Sequence, residues 1–176
     1  RHSGGGDLAL GVARPSAGRS GAAQRAREVG AMFERAGVRC PVVDNVDAAL
    51  WEKLVVNCAF NAVSALGRSR YGRMARDDGV RHLMESAVGE AVAVARAAGV
   101  ALDESAMIAM IWRTAERLAT QHSSTAQDIV RGKPTEIDML NGEVVRRGEA
   151  LGVPVPVNRT LHALVRLCEG GDDLAG

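Results

Sequence analysis

From Asp47 to Leu66 the chain is apolar almost without a break, and the stretch from Leu50 reads LWEKLVVNCAFNAVSALGRSRYG. Besides Glu52, four polar residues interrupt it: Lys53, Asn57, Asn61 and Ser64. Spacings of four, four and three put them on one face of an α-helix, about a turn apart. Leu54, Val55, Val56, Cys58, Ala59, Phe60, Ala62 and Val63 fill the other faces. A helix that is apolar nearly all round is buried, and a buried Lys or Asn costs free energy unless it is paired or faces water. The stripe is therefore expected to line a cleft. The plainer alternative is a solvated stripe on a surface helix. Two asparagines, mediocre helix formers, count against that alternative.

The same period organises the rest of the chain. A helix is expected from about Asp77 to Ala98, stopped at Gly99, with Val80, Leu83, Met84, Ala87, Val88, Ala91 and Ala95 on one side. Another begins near Asp103 and carries Met107, Ile108, Ile111, Ala115 and Leu118. A short helix follows, with Ser123 or Ser124 near its start. A longer one is expected to open at Pro134 and close at Gly152. Pro154 and Pro156 predict extended chain, with Asn158 capping a last helix through Leu161, Leu164, Val165 and Cys168. The tail from Gly170 reads as frayed.

Before Asp47 the grammar differs. The run Leu8 to Ala13 reads as a strand, and a helix capped by Ser20 and stopped by Gly37 follows it. VRCPVVD is a second short apolar run, limited by Pro41 to an edge or irregular strand. Strand, helix, strand is an α/β unit, too short here to be a whole α/β domain. Its sheet edges are sticky, so we expect it to pair with another chain, as in a homodimer, or to be covered by the helical body. Gly4, Gly6 and Ala9 match a G-x-G-x-x-A pattern in letters, but they precede a strand-like run instead of linking a strand to a helix, so no dinucleotide loop is assigned there.

Composition narrows the classes. The 176 residues are 47% hydrophobic and only 3% aromatic, so Leu, Val, Ala and Met must build the core. A net charge of +1 gives no case for a nucleic-acid partner. No run of about 18 apolar residues marks a membrane span. Cys40, Cys58 and Cys168 are scattered, which suits a reducing cytoplasm better than a disulfide framework. His2, His82, His122 and His162 match no metal spacing, so no metal site is expected.

The second constellation is KPTEIDMLNGEVVRRGEALGVPVPVN. Glu136 and Asp138 fall in the first turn of its expected helix, where carboxylates favour the dipole whatever their function. Thr135 and Asp138 have capping-box spacing. Asn141-Gly142 inside a helix is odder, and a glycine there usually admits close packing of another element.

Taken together, LWEKLVVNCAFNAVSAL and, about seventy residues later, TEIDMLNGEVVRRGEALGVPVPVN resemble the two helical-domain signatures of the ketopantoate reductase (2-dehydropantoate 2-reductase) family. RHSGGGDLALG resembles a late strand of that family's cofactor domain, so the resemblance covers nearly the whole chain. It implies an oxidoreductase that uses NADPH to reduce ketopantoate, a small 2-keto acid, to pantoate on the route to pantothenate and coenzyme A. It also implies a mainly α fold, in which residues 1–46 are the remnant of a Rossmann cofactor domain. Residues 47–176 would be an all-helical substrate and dimerisation domain, like the C-terminal domain of 6-phosphogluconate dehydrogenase.

By the match of motifs, Lys53 corresponds to the family's catalytic lysine and Glu136 to its active-site glutamate. Asn57 and Asn61 correspond to its substrate-side asparagines, and Ser124 to its carboxylate-contacting serine. Glu136 would hold Lys53, or the substrate hydroxyl, in place. Two departures stand out. Tyr71 occupies the place of a further family asparagine, which leaves a related 2-keto acid open as substrate. The chain has no N-terminal GxGxxG turn, so no cofactor-binding residue is assigned, and the chain alone is expected to be inactive. The alternatives are a non-catalytic helical association domain and a related reductase with another 2-keto acid.

Overall fold

The computed structural model describes residues 8–12, 21–43 and 45–169. The glycines at 4–6, Ala13, the Ser20 cap and the tail from Gly170 lie outside the described residues. The chain divides between Leu50 and Trp51 into two units. Its helices are α1 Ala22–Arg35, α2 Val46–Leu66, α3 Tyr71–Met74, α4 Asp78–Ala97, α5 Glu104–Arg117, α6 Ser124–Val130, α7 Asn141–Leu151 and α8 Pro156–Glu169. The architecture is mainly α, as the helical periodicity implied.

In the first unit, the two expected strands reduce to a single parallel bridge between Leu10 and Val42. Leu10 N–H donates to the Pro41 carbonyl at 3.0 Å, and Val43 N–H donates to the Leu10 carbonyl at 2.7 Å. Pro41 lacks an N–H, but this ladder asks only for its carbonyl. α1 forms the crossover between the two segments. Gly30 is buried because a Cβ there would lie 2.9 Å from Val42 Cγ2. The helix ends as expected, with Gly37 left-handed at φ +77°.

The second unit is wholly helical among the described residues. α4 runs through its core, with Met84, Ala87, Val88, Ala91, Val92, Val94 and Ala95 buried. α5, α7 and α8 pack against α4. Local signals set several of the helix ends. Asp77 accepts from Val80 N–H at 2.9 Å, Asp103 from Ala106 N–H at 2.6 Å, and Ser123 Oγ from Ala126 N–H at 3.0 Å. α7 closes on Gly152 at φ +69°.

Three expectations need correction. The single helix expected from Pro134 to Gly152 is broken: a 3-10 turn spans Ile137–Met139, and α7 starts only at Asn141, after Leu140 at φ −107°, ψ −103°. Asn141-Gly142 is thus a helix start, where poor helix formers cost little. A Cβ on Gly142 would lie 2.9 Å from His162 Nε2, so this glycine does admit a close neighbour, α8. The extended stretch expected up to Asn158 ends earlier. α8 begins at Pro156, whose missing N–H costs nothing in the first turn. Asn158 is therefore the helix's third residue and fully buried, not its cap. Finally, Thr135 and Asp138 form no capping box. Thr135 Oγ1 accepts from Ile137 N–H at 3.2 Å, and Asp138 turns instead to His162 at 2.7 Å.

Candidate functional site

The polar stripe of α2 grades from solvent into the body. Lys53 is exposed, Asn57 half-buried, Asn61 only 4% exposed and Ser64 fully buried. Each step of four residues climbs about 6 Å along the axis. A solvated surface stripe would stay exposed along its length, so that alternative fails at Asn61 and Ser64.

The buried end is stitched to the start of α6. Ser64 Oγ donates to the Ser69 carbonyl at 2.8 Å and accepts from Ser123 N–H at 3.1 Å. Ser123 Oγ donates to the Asn61 carbonyl at 3.2 Å while capping α6. Asn61 Nδ2 reaches Ser124 Oγ at 3.4 Å. Three of the candidate residues therefore meet directly or through one helical turn: Asn57, Asn61 and Ser124. Ser124 itself is exposed, one residue inside the cap.

Glu136 is exposed and immediately precedes the 3-10 turn. Its neighbours fix the backbone on both sides. Thr135 N–H donates to Glu169 Oε1 at 2.7 Å, and Ile137 is fully buried. Five residues on, Asn141 Nδ2 donates to the Cys58 carbonyl of α2 at 3.2 Å, which ties this segment to the helix of the stripe. Among the described residues neither Lys53 nor Glu136 joins an ion pair. A direct Lys53–Glu136 contact is thus not made, and Glu136 does not hold the ammonium in this arrangement.

The sequence reading missed a buried polar network beside the stripe. Asn141 Nδ2 also donates to Asn158 Oδ1 at 2.9 Å, and Asn158 Nδ2 donates to the Ala87 carbonyl at 3.0 Å and to Glu90 Oε2 at 2.8 Å. Glu90 in turn accepts the N–H groups of Val157 and Asn158, at 2.8 and 2.9 Å. Its carboxylate thereby fills the role of a cap for α8. The signal was present in the odd Asn141-Gly142 pair, but its partners lie on other helices.

Electrostatics around this frame are local. The Asp138 carboxyl is held below its ordinary range, first by its hydrogen bond to His162 and further by Arg166 nearby. The Glu143 carboxyl is also lowered, first by Arg146 and then by Arg147. Burial pushes the Cys58 thiol up. A groove of about 590 Å³ lies at the end of α2, lined by Ala65, Arg68, His122, Ala126 and Val130 among others; it contains none of the candidate residues. Among the described residues no group of three or more His, Cys, Asp or Glu is placed to hold a metal, and no helix is long and apolar enough to cross a membrane.

Comparison with known proteins agrees with this architecture. Residues 45–169 match the family model described as ketopantoate reductase PanE/ApbA C terminal. The 2-dehydropantoate 2-reductase of Halobacterium salinarum is 37% identical over 169 residues, 96% of this chain and 54% of the relative. The solved structure of a PanE/ApbA family ketopantoate reductase from Ralstonia eutropha is 48% identical and superposes with a TM-score of 0.84, covering 97% of this chain and 53% of that one. A D-mandelate dehydrogenase, solved as a ternary structure with NADH and anilino(oxo)acetate, shares the fold at a TM-score of 0.82 and 23% identity, over 88% of this chain and 64% of its own. The chain spans about half the length of the curated relatives it matches. The chain belongs to the ketopantoate reductase family, of which residues 45–169 are the helical C-terminal domain.

Proposed function

We propose that this chain forms the substrate side of a cytoplasmic reductase that converts ketopantoate to pantoate with NADPH, on the route to pantothenate and coenzyme A. The observation that carries this reading is the stripe itself. Lys53, Asn57 and Asn61 share one face of α2, and Asn61 meets Ser124 at 3.4 Å. As hydride arrives at the ketone carbon, negative charge builds on the carbonyl oxygen. The exposed ammonium of Lys53 stabilises that charge and donates the proton that completes the alcohol. Asn57 and Asn61 can donate and accept, so they orient a carbonyl and a hydroxyl. Ser124 Oγ and the free N–H groups at the start of α6 suit the substrate carboxylate. Glu136, which is not bound to Lys53, takes the other role expected of it and accepts from the substrate hydroxyl.

NADPH finds no cradle in the residues present. No GxGxxG turn occurs in the sequence, and α1 opens at Gly21 without a side-chain cap. Kinship of fold supports a nicotinamide cofactor without choosing the phosphorylated form: the D-mandelate dehydrogenase of like architecture was solved with NADH. The roles assigned to this chain are accordingly those of a substrate wall. Free Cys40, Cys58 and Cys168 agree with a reducing compartment. Association as a homodimer, with residues 1–46 as the end of a cofactor domain, belongs to the same proposal.

The test is Lys53→Ala in the natural full-length polypeptide. Turnover of ketopantoate should fall by roughly a hundredfold or more, because the lost interaction is made in the transition state. Intact turnover in that variant would remove Lys53 from the mechanism and the reading with it.

A further inference from the structure

The turn that carries Glu136 is held from a distant part of the chain. Ile137, the next residue, is buried in the core, but the bonds on either flank of Glu136 come from α8. On one side, Thr135 N–H donates to Glu169 Oε1 at 2.7 Å. On the other, His162 Nε2 lies 2.7 Å from Asp138 Oδ1. Arg166 joins the two flanks. Its Nη1 donates to Glu169 Oε2 at 2.9 Å and lies 3.6 Å from Asp138 Oδ2. His162, Arg166 and Glu169 are spaced by four and three residues, so one face of α8 supplies all three.

The glycine of the Asn141-Gly142 pair makes room for this contact. A Cβ there would lie 2.9 Å from His162 Nε2 and 3.3 Å from the Ile137 carbonyl. A side chain at position 142 would therefore crowd both the imidazole and the turn it reaches. The bonds on the two flanks differ in weight. Asp138 and Arg166 are largely open to solvent, where ion pairs contribute little. The Glu169 side chain is only 13% exposed, and a carboxylate that accepts a backbone N–H makes a stronger, charge-assisted bond. The Glu136 carboxylate, by contrast, is exposed and has no bond of its own among the described residues. Its direction is set by the backbone that carries it, and that backbone is tied to α8 one residue before and two residues after.

We propose that α8 positions Glu136, with Glu169 and His162 holding the turn so that the Glu136 carboxylate meets the substrate. The proposal rests on the reductase reading above, in which Glu136 accepts from the substrate hydroxyl. Glu169 and His162 are positioning residues: they act through Glu136 and touch no substrate themselves.

The experiment is a double-mutant cycle on kcat/KM for ketopantoate in the natural full-length polypeptide. The variants are Glu169→Ala, Glu136→Ala and the two combined. Glu169→Ala should lower kcat/KM about tenfold in the parent but by less than about twofold where Glu136 is already alanine. Glu169→Gln keeps an acceptor for Thr135 N–H and should restore most of the loss. His162→Ala, read in the same two backgrounds, should show the same pattern with a smaller loss. A general loss of folded protein would instead lower both backgrounds alike. Equal losses with and without Glu136, or no recovery with Glu169→Gln, would overturn the positioning role while leaving the reductase reading intact. Failure of the parent to reduce ketopantoate is a different outcome and would overturn both.

Discussion

Asn141 Nδ2 donates to Asn158 Oδ1 at 2.9 Å, joining the first residue of α7 to the third residue of α8. Both side chains are fully buried. Asn158 carries more of the network than its partner does. It also donates to the Ala87 carbonyl and to Glu90, whereas Asn141 Oδ1 is buried with no partner among the described residues. Truncating Asn158 strands two acceptors on α4, the Ala87 carbonyl and a Glu90 oxygen, and removes one acceptor of Asn141 Nδ2 on α7; an orphaned buried group costs about 1–3 kcal/mol. We expect Asn158→Ala to destabilise by about 2–4 kcal/mol in urea denaturation. Asn141→Ala should cost less, because it removes one group that was already unsatisfied. The reverse ranking would contradict this account of the network.

Glu143 gives the chain an acid-sensitive contact. It accepts from Arg146 Nη2 at 2.7 Å and from Arg147 Nε at 2.5 Å. Its folded pKa lies below the ordinary glutamate value of 4.5, chiefly because of Arg146. A depressed carboxylate contributes stability that is present above the unfolded pKa and lost as pH falls through the folded one. Both arginines are open to solvent, so screening keeps the contribution small. Glu143→Gln should therefore lower thermal stability slightly near neutral pH. Its difference from the parent should vanish well below pH 4.5. A gap that widens on acidification would reverse the sign.

What was legible in the sequence depended on whether the cause was local. The stripe on α2 needs only periodicity, and the helix starts expected near Asp77, Asp103 and Ser123 are each set by a cap bond to the residue three places on. The stops at Gly99 and Gly152 are equally local, each left-handed as a helix end requires. The failures all involve a partner far along the chain. Asp138 leaves its own helix turn for His162, 24 residues on. Asn158 is drawn into the core by Glu90, 68 residues back, so Pro156 can open α8 earlier than proline rules suggested. The short α3 is held by carbonyls at Ala119 and Gln121, which no window around Tyr71 contains. At the candidate site the periodicity grouped Lys53, Asn57 and Asn61, and the structure added the link from Asn61 to Ser124. It did not add a bond from Lys53 to Glu136.

The three cysteines should separate cleanly by reactivity. Cys58 and Cys40 are buried, and Cys168 on α8 is exposed. Burial pushes the Cys58 thiol up, which removes the thiolate that a disulfide reagent attacks. An aromatic disulfide reagent should label one thiol rapidly in the native chain and the remaining two only on unfolding. Rapid labelling of Cys58, located by peptide mapping, would show that the core around α2 opens far more readily than its packing implies.

The final prediction concerns the cofactor. A dinucleotide is held where a glycine-rich turn brings several backbone N–H groups against the pyrophosphate at the start of a helix. The only strand–helix–strand piece among the described residues runs from Leu10 through α1 to Val42. α1 begins after left-handed Gly21, and Gly18 stands three residues before it, but Ser16 occupies the place of the pattern's first glycine. Without that glycine the tight turn leaving the strand is not supplied. Calorimetric titration of this 176-residue chain with NADPH should therefore give no saturable heat at micromolar concentrations. A micromolar dissociation constant corresponds to about −8 kcal/mol. Binding of that strength would mean that the helical residues themselves grip the dinucleotide, and the division of labour proposed for this chain would have to be redrawn.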